Sequence, residues 1–529
     1  MKLTRRVLLA SGVAATAVVG LTACGNSTST NANKSSGGTT ESLIVDSSFS
    51  LKSIDPARQF EFTGSIIDAN LYETTLRFNK GDMSKPVDGL CSYKLSDDQK
   101  VLTLTLKGTG SKFSDGSAVT VDDIVFSFQR LAGMKANPSF YLDGVTVAKV
   151  DDKSLTLTSK EANPVLPFML PNSNLGVVNS KVLKANGGTT DETDKAEAFL
   201  NSNSQGSGPY MIESYDATSQ VVLKANPNYG GTDVPKFKRV VIRNVTGETQ
   251  KVNVESGQSD FAMDLGQDAI KALSKDSVKI VSYPGTYSFY VFMNGATSIN
   301  PWASNTQFQA AMRKAIDYAK LMSLAGEGAQ QIGSPVPNIF AGHVPADKLP
   351  KRDLAGAKAA LTAAGYAGEL VPFHYASDQT VAGVPLAQVA QSIQASVKEA
   401  GINLDLKPAP AATQLDGFRS GKQPTGIGTW GADYPDPDNY LVFAPGGSLT
   451  KRAAWPDSQV AEVTALAATA KAASMTDRSA AYEKLFTRMS EIGPWIGLVE
   501  PARSVVANKK KVSEFVSNAD QALYFPYVK

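Results

Sequence analysis

The chain has 529 residues, with 52 Lys and Arg set against 50 Asp and Glu, and only two His and two Cys. A net charge of +2 gives no basic field to attract nucleic acid, and zinc centres built from His and Cys clusters lack ligands. A Ser-His-Asp or Cys-His hydrolase would have to use His343 or His374, neither of which stands in a catalytic context.

The first residues read as a leader. Lys2, Arg5 and Arg6 precede a mildly apolar run from Val7 to Gly20, too short for the roughly 20 residues that span a bilayer. Arg5-Arg6 leaves both the general and the twin-arginine export routes open. The run ends at Leu21-Thr22-Ala23-Cys24, and the polar stretch GNSTSTNANKSSGGTTE follows. With almost nothing to bury, about 16 such residues form a flexible tether with a reach of roughly 20–25 Å. L-T-A-C resembles the lipobox of bacterial lipoproteins, which implies cleavage before Cys24 and diacylglyceryl attachment to its thiol. Two acyl chains anchor firmly where one binds marginally. The alternative is ordinary secretion with Cys24 inside the leader. If Cys24 is lipidated, Cys91 stands alone and no intrachain disulfide forms.

Beyond the tether, composition is that of a globular body, 42% hydrophobic and 19% charged. The length gives roughly three domains or one elaborated bilobal body. LIVDSSF (43–49) reads as a first strand, and VLTLTLK (101–107) alternates as a half-buried strand does. Thr120 with Asp123 makes a capping box for a helix through Ile124, Phe126 and Phe128. VTVAKVDDKSLTLTS (145–159) is a hairpin turning at Asp151-Asp152-Lys153, and 239–245 and 287–294 are further strands. Phe308, Met312, Ala315, Ile316 and Ala319 then recur at helical spacing. LAGAKAALTAAG (354–365) follows, and Leu386, Val389, Ile393 and Val397 mark another helix, with Gly401 suited to its left-handed end. INLDLKP (402–408) returns as a strand, and the alternation predicts a second α/β lobe with a mainly parallel sheet. The apolar stripes are core.

The segment KGTGSKFSDGSAVTVDDIVFSFQRL (107–131) carries Lys112, Phe113, Asp115, Gly116, Val119, Thr120 and Asp123. In this it resembles the signature of family-5 extracellular solute-binding proteins, the peptide-type receptors of ATP-binding-cassette importers; Lys107 replaces the family's arginine. SIDPA (53–57), LYETTLRFN (71–79), GSGPYMIESY (206–215), KANPNYGG (224–231) and ESGQSDFAM (255–263) follow the family's order. So do AMRKAIDYAKLM (311–322), SPVP (334–337), AGYAG (364–368), GINLDLK (401–407) and TWGADYPDPDNYL (429–441). Most of these residues are structural by their own physics: Asp115-Gly116 is turn chemistry and Thr120 with Asp123 caps a helix.

The resemblance implies a bilobal α/β fold of the periplasmic-binding type II class, with an extra domain inserted in the first lobe. It divides the chain into a signal peptide (1–23), a tether (24–42), a first lobe (43–72, 205–288 and 502–529), its insert (73–204) and a second lobe (289–501). It implies a monomeric receptor, not an enzyme, without metal or cofactor, that closes over a peptide and hands it to importer permease subunits. Asp433 is the expected partner of the ligand's α-ammonium group, since a cation entering a desolvating cleft needs an anion. The alternatives are that Asp433, Asp436 and Asp438 are plain loop carboxylates, or a calcium loop, for which the EF-hand spacing and glycine are missing. The resemblance also places Gln59, Phe60 and Glu61 near the ligand on one lobe and Thr429, Trp430 and Gly431 on the other. Tyr287 and Tyr434 are candidates for side-chain pockets, or for core.

One departure stands out. Dipeptide-type members bind the ligand carboxylate with an arginine before the helix of 384–400. FHYASDQTVAG has none, and His374 is its only potential cation. A longer peptide, or a ligand without a terminal carboxylate, fits more easily. An oligosaccharide or metal-chelate receptor, or a surface chaperone or signalling protein on this fold, stays open.

Overall fold

The computed structural model describes residues 42–529, apart from 81, 109, 456, 520 and 521 and the side chains of 457–459. The leader, Cys24 and the tether up to residue 41 lie outside the described residues. Among the described residues no helix is long and apolar enough to cross a membrane.

Two mixed sheets organise the chain. The first runs in the order Val278–Pro284, Ala502–Asn508, Phe261–Ala262, Ser42–Ser47, Arg239–Asn244, Gln220–Ala225, Tyr210–Asp216. Its central strand Ser42–Ser47 is parallel to both neighbours, and Leu43 and Val45 are buried on it beside Val240 and Ile242 of Arg239–Asn244. Leu43 and Val45 point inward with Ile44 only partly covered between them, and Asp46 and Ser47 are both buried at the strand's end.

A four-stranded antiparallel sheet lies between these strands in sequence, ordered Cys91–Leu95, Val101–Leu106, Ser154–Ser159, Val145–Lys149. Leu102, Leu104, Leu155 and Leu157 are fully buried and pack against Ile124, Phe128 and Leu131 of helix Val121–Gly133. That helix starts where Thr120 and Asp123 predict. The Asp123 carboxylate accepts from the Thr120 amide at 2.9 Å, and Thr120 Oγ1 accepts from the Asp123 amide. Cys91 is fully buried here, and burial, with Asp88 adding to it, pushes its thiol up to about 12.

The second sheet runs Gln330–Gln331, Trp495–Glu500, Tyr287–Met293, Thr425–Gly431, Leu370–Ala376, Asn403–Ala409. It is not mainly parallel, which corrects the expectation from the helix–strand alternation. Only Leu370–Ala376 pairs in parallel, with Asn403–Ala409 and Thr425–Gly431. The remaining pairs are antiparallel, because Tyr287–Met293 and Trp495–Glu500 connect directly to strands of the first sheet rather than through crossover helices. A second correction concerns the stripe from Phe308 to Ala319. It is two helices, Thr306–Ala315 and Tyr318–Ala325, broken at Ile316 where Asp317 caps the second by accepting from the Lys320 amide at 3.0 Å.

The two sheets are joined by adjacent passages. Val278–Pro284 continues through Gly285 and Thr286 into Tyr287–Met293, and Trp495–Glu500 continues through Pro501 into Ala502–Asn508. A Cβ at Gly285 would lie 2.8 Å from the Pro501 carbonyl oxygen, so the absence of a side chain allows the two passages to pack together. This is the bilobal α/β architecture, with an insert in the first lobe, that the resemblance implies.

Candidate functional site

Strand Thr425–Gly431 delivers the loop 432–436, which turns into the 3-10 segment Pro437–Phe443. Two of its three carboxylates are spent internally. Asp436 accepts from the Asp438 amide at 2.8 Å and pairs with buried Arg478, while Asp438 accepts from the Tyr482 hydroxyl at 3.0 Å. Asp433 differs. Asn439 clamps it from both ends, its Oδ1 accepting from the Asp433 amide at 3.1 Å and its Nδ2 donating to the carboxylate at 3.2 Å. The Asp433 carbonyl accepts from the Tyr141 hydroxyl at 2.7 Å, which itself accepts from Asn172 Nδ2 at 2.7 Å. The half-buried Asp433 carboxylate has no ion pair among the described residues. Burial raises its pKa, and the Asn439 hydrogen bond opposes the rise.

The facing wall is built from 59–62. Gln59 is buried, with its amide donating to the Glu61 carbonyl and to Ser65 Oγ, and its backbone carbonyl accepts from Asn174 Nδ2 at 2.6 Å. Held this way, the segment turns Phe60 outward, edge-on to Phe140 at 5.9 Å. Glu61 occupies the N-cap of helix Phe62–Leu71 without capping it through its side chain, and its Oε2 is buried with no hydrogen-bond partner. Burial raises its pKa, and Lys52 opposes this.

Between these walls lies a cavity of about 340 Å³ bordered by Phe60, Glu61, Phe62, Tyr287, Asp433 and Tyr434, with Gly431 at its edge. Six of the nine sequence candidates for ligand contact therefore share one space. The other three sit elsewhere. Gln59 is interior. Thr429 pairs with Phe289 across the sheet, and the Trp430 ring packs on Phe443 at 5.8 Å with its Nε1 unpartnered. Side chains alternate along a strand, so Trp430 points away from the face that Gly431 shares with Tyr287. Phe62, Tyr141 and Asn172 also border the cavity; they form no local motif, and nothing in the sequence around them marks them. His374 does not border it. It lies half-buried on Leu370–Ala376, where burial foremost and Lys407 next lower its pKa.

Two desolvated carboxylates among aromatic rings make a site for a cationic, partly apolar group. Ring faces carry partial negative charge and favour ammonium groups, and a buried acid without a cation is costly until one arrives. Among the described residues no cluster of His, Cys, Asp or Glu could hold a metal ion.

Two lobes bridged by adjacent strand passages, with such a cavity, suit a protein that closes over a solute. The chain belongs to the bacterial extracellular solute-binding proteins, family 5, whose model for the middle region matches residues 85–448. It is 29% identical over 418 residues to the "Probable D,D-dipeptide-binding periplasmic protein DdpA" of Escherichia coli K12, covering 76% of this chain and 77% of that protein. HbpA2 of Haemophilus parasuis shares the fold with a TM-score of 0.79 at 20% identity, over 92% of this chain and 99% of that one. DppA of Helicobacter pylori, solved in complex with the peptide STSA, gives 0.71 at 20% identity, over 92% and 97%.

Proposed function

We propose that this protein is the extracytoplasmic receptor of an ABC importer, capturing peptides in the cavity between its lobes and delivering them to permease subunits. The observation that carries this reading is the Asp433 carboxylate, half-buried, without a cation among the described residues, and facing a cavity that Phe60, Phe62, Tyr141, Tyr287 and Tyr434 also border. A peptide's α-ammonium group supplies the missing charge, and a charge-assisted pair of this kind contributes roughly 1.5–3 kcal/mol net. The peptide-binding names of relatives such as DdpA and the peptide complex of DppA support the same cargo class. Gly431, Phe60, Phe62, Tyr287 and Tyr434 shape the space around the first residues of the peptide; Gln59, Thr429 and Trp430 act behind it as supports.

Closure follows from contacts made only in the shut form. Tyr141 and Asn172 grip the Asp433 carbonyl, so the loop that carries the anion is also the loop the insert holds. Diacylglyceryl on Cys24 and the polar tether keep the receptor beside the membrane that holds its importer, as a monomer on a leash.

Denaturing the purified protein and analysing the extract by mass spectrometry tests the cargo. Peptides with free amino termini are the expected result. Extracts that contain only saccharides, or nothing in repeated preparations, would overturn the reading.

A further inference from the structure

Asp433 and Glu61 provide for a cationic group, yet a peptide also ends in a carboxylate, and His374 is not placed to meet it. A second cavity, of about 360 Å³, is bordered by Ser48, Asp264, Thr380, Gly383 and Arg503. It is separated from the first by a stack of two side chains. The Arg503 guanidinium lies 3.7 Å over the centre of the Phe62 ring, and Phe62 borders the cavity that holds Asp433.

Arg503 stands on strand Ala502–Asn508, two residues beyond the passage at Pro501. Its side chain is half-buried and makes no hydrogen bond or ion pair with any described residue. The one carboxylate in its cavity is engaged: Asp264 Oδ2 accepts from the Ser48 amide at 2.7 Å and from Ser47 Oγ at 3.0 Å. A guanidinium held over a ring still has N–H donors to offer, and their fork matches a carboxylate. Ser48 and Thr380 add hydroxyl-bearing side chains to the same space.

We infer that Arg503 receives the carboxylate end of the cargo, so that the ligand class is zwitterionic peptides lying from Asp433 across Phe62 to Arg503. The inference rests on the reading of the Asp433 cavity as a peptide site. Phe62 then serves both ends of the ligand, as a wall for its first residues and as the platform that aims the guanidinium.

The test uses two synthetic pools of tri- to pentapeptides of Ala, Gly, Leu, Phe and Ser, identical except that one ends in free carboxyl groups and the other in amides. Each pool is passed over immobilised full-chain protein, and retained peptides are counted by mass spectrometry. Wild-type protein is expected to retain free acids about ten-fold or more over amides. Arg503→Gln is expected to erase that preference while holding the amides at the wild-type level, and Arg503→Lys to keep part of it. Equal retention of both pools by wild-type protein overturns the inference and leaves the peptide reading standing, whatever the variants' folding. An undiminished preference in Arg503→Gln, with a wild-type melting curve, removes Arg503 from the site. Retention of neither pool removes the peptide reading and this inference with it.

Discussion

Asp433 is subject to two opposed influences, burial that favours its neutral form and Asn439 that favours its charge, and the first is the larger. Only the charged form pairs with an ammonium group, so binding should weaken as pH falls through this raised value. Asp433→Asn keeps the shape and removes the charge, and is expected to weaken peptide binding about ten-fold or more by calorimetry, since one decade is about 1.4 kcal/mol; unchanged affinity would place the recognition elsewhere. Glu500 behaves differently because it has no access to cargo. It ends strand Trp495–Glu500, accepts from the Asn338 amide at 2.6 Å through one oxygen and has no partner for the other. Burial pushes it up to about 7, with the Asn338 hydrogen bond opposing. A carboxyl raised in the folded state stabilises fully below its ordinary value of 4.5 and loses that contribution as pH rises to about 7. Glu500→Gln should therefore gain stability relative to wild type between pH 5 and pH 8, on the order of 3 kcal/mol at most, as read by denaturant midpoints at both values. A constant difference would show that Glu500 does not titrate in that window.

Elements differ in how plainly the chain announces them. The helix Val121–Gly133 carries its own start signal, and both reciprocal hydrogen bonds of the capping box form. Thr120→Ala is expected to cost about 1 kcal/mol, seen as a lower thermal midpoint with no change in ligand affinity. Helix Phe62–Leu71 is the opposite case. FTGSIIDANL buries Thr63, Gly64, Ile66, Ile67, Asp68, Asn70 and Leu71 and exposes none of its residues fully, so polar and apolar positions do not sort into two faces and periodicity cannot reveal it. That same helix carries Phe62, which is why one wall of the cavity was not legible. Strand direction is hidden for a related reason. Helix–strand alternation reports parallel neighbours, but it says nothing about a strand that enters from another sheet.

At the scale of the molecule, distant segments are brought together by a few buried groups. Arg130 of the insert donates to Asp55 at 2.7 and 2.6 Å and to Asp194 at 2.8 and 2.9 Å, all inside the protein. Burial works against the Asp194 charge, yet Arg130 outweighs it and holds this carboxyl at about 2. Arg130→Met would leave two buried acids, and is expected to cost about 3–5 kcal/mol in urea unfolding at neutral pH. The lower end is expected because Arg58 still reaches Asp194 at 3.0 Å. The deficit should narrow as pH falls through the ordinary aspartate value of 3.8 toward 2, where the depressed Asp194 gains its proton. Asp55 of SIDPA is thus part of this knot. The site is likewise a product of the whole fold: Asp433 could be read from its loop, while Tyr141 meets it only because 292 residues of chain return there. The burial of Cys91 has a practical corollary. With Cys24 replaced by serine it is the remaining thiol in the sequence, and it is sealed from solvent. Cysteines introduced at exposed Val150 and Leu370 would then take a donor and an acceptor dye without a competing reaction, and energy transfer between them would record the opening and shutting of single receptors as cargo comes and goes.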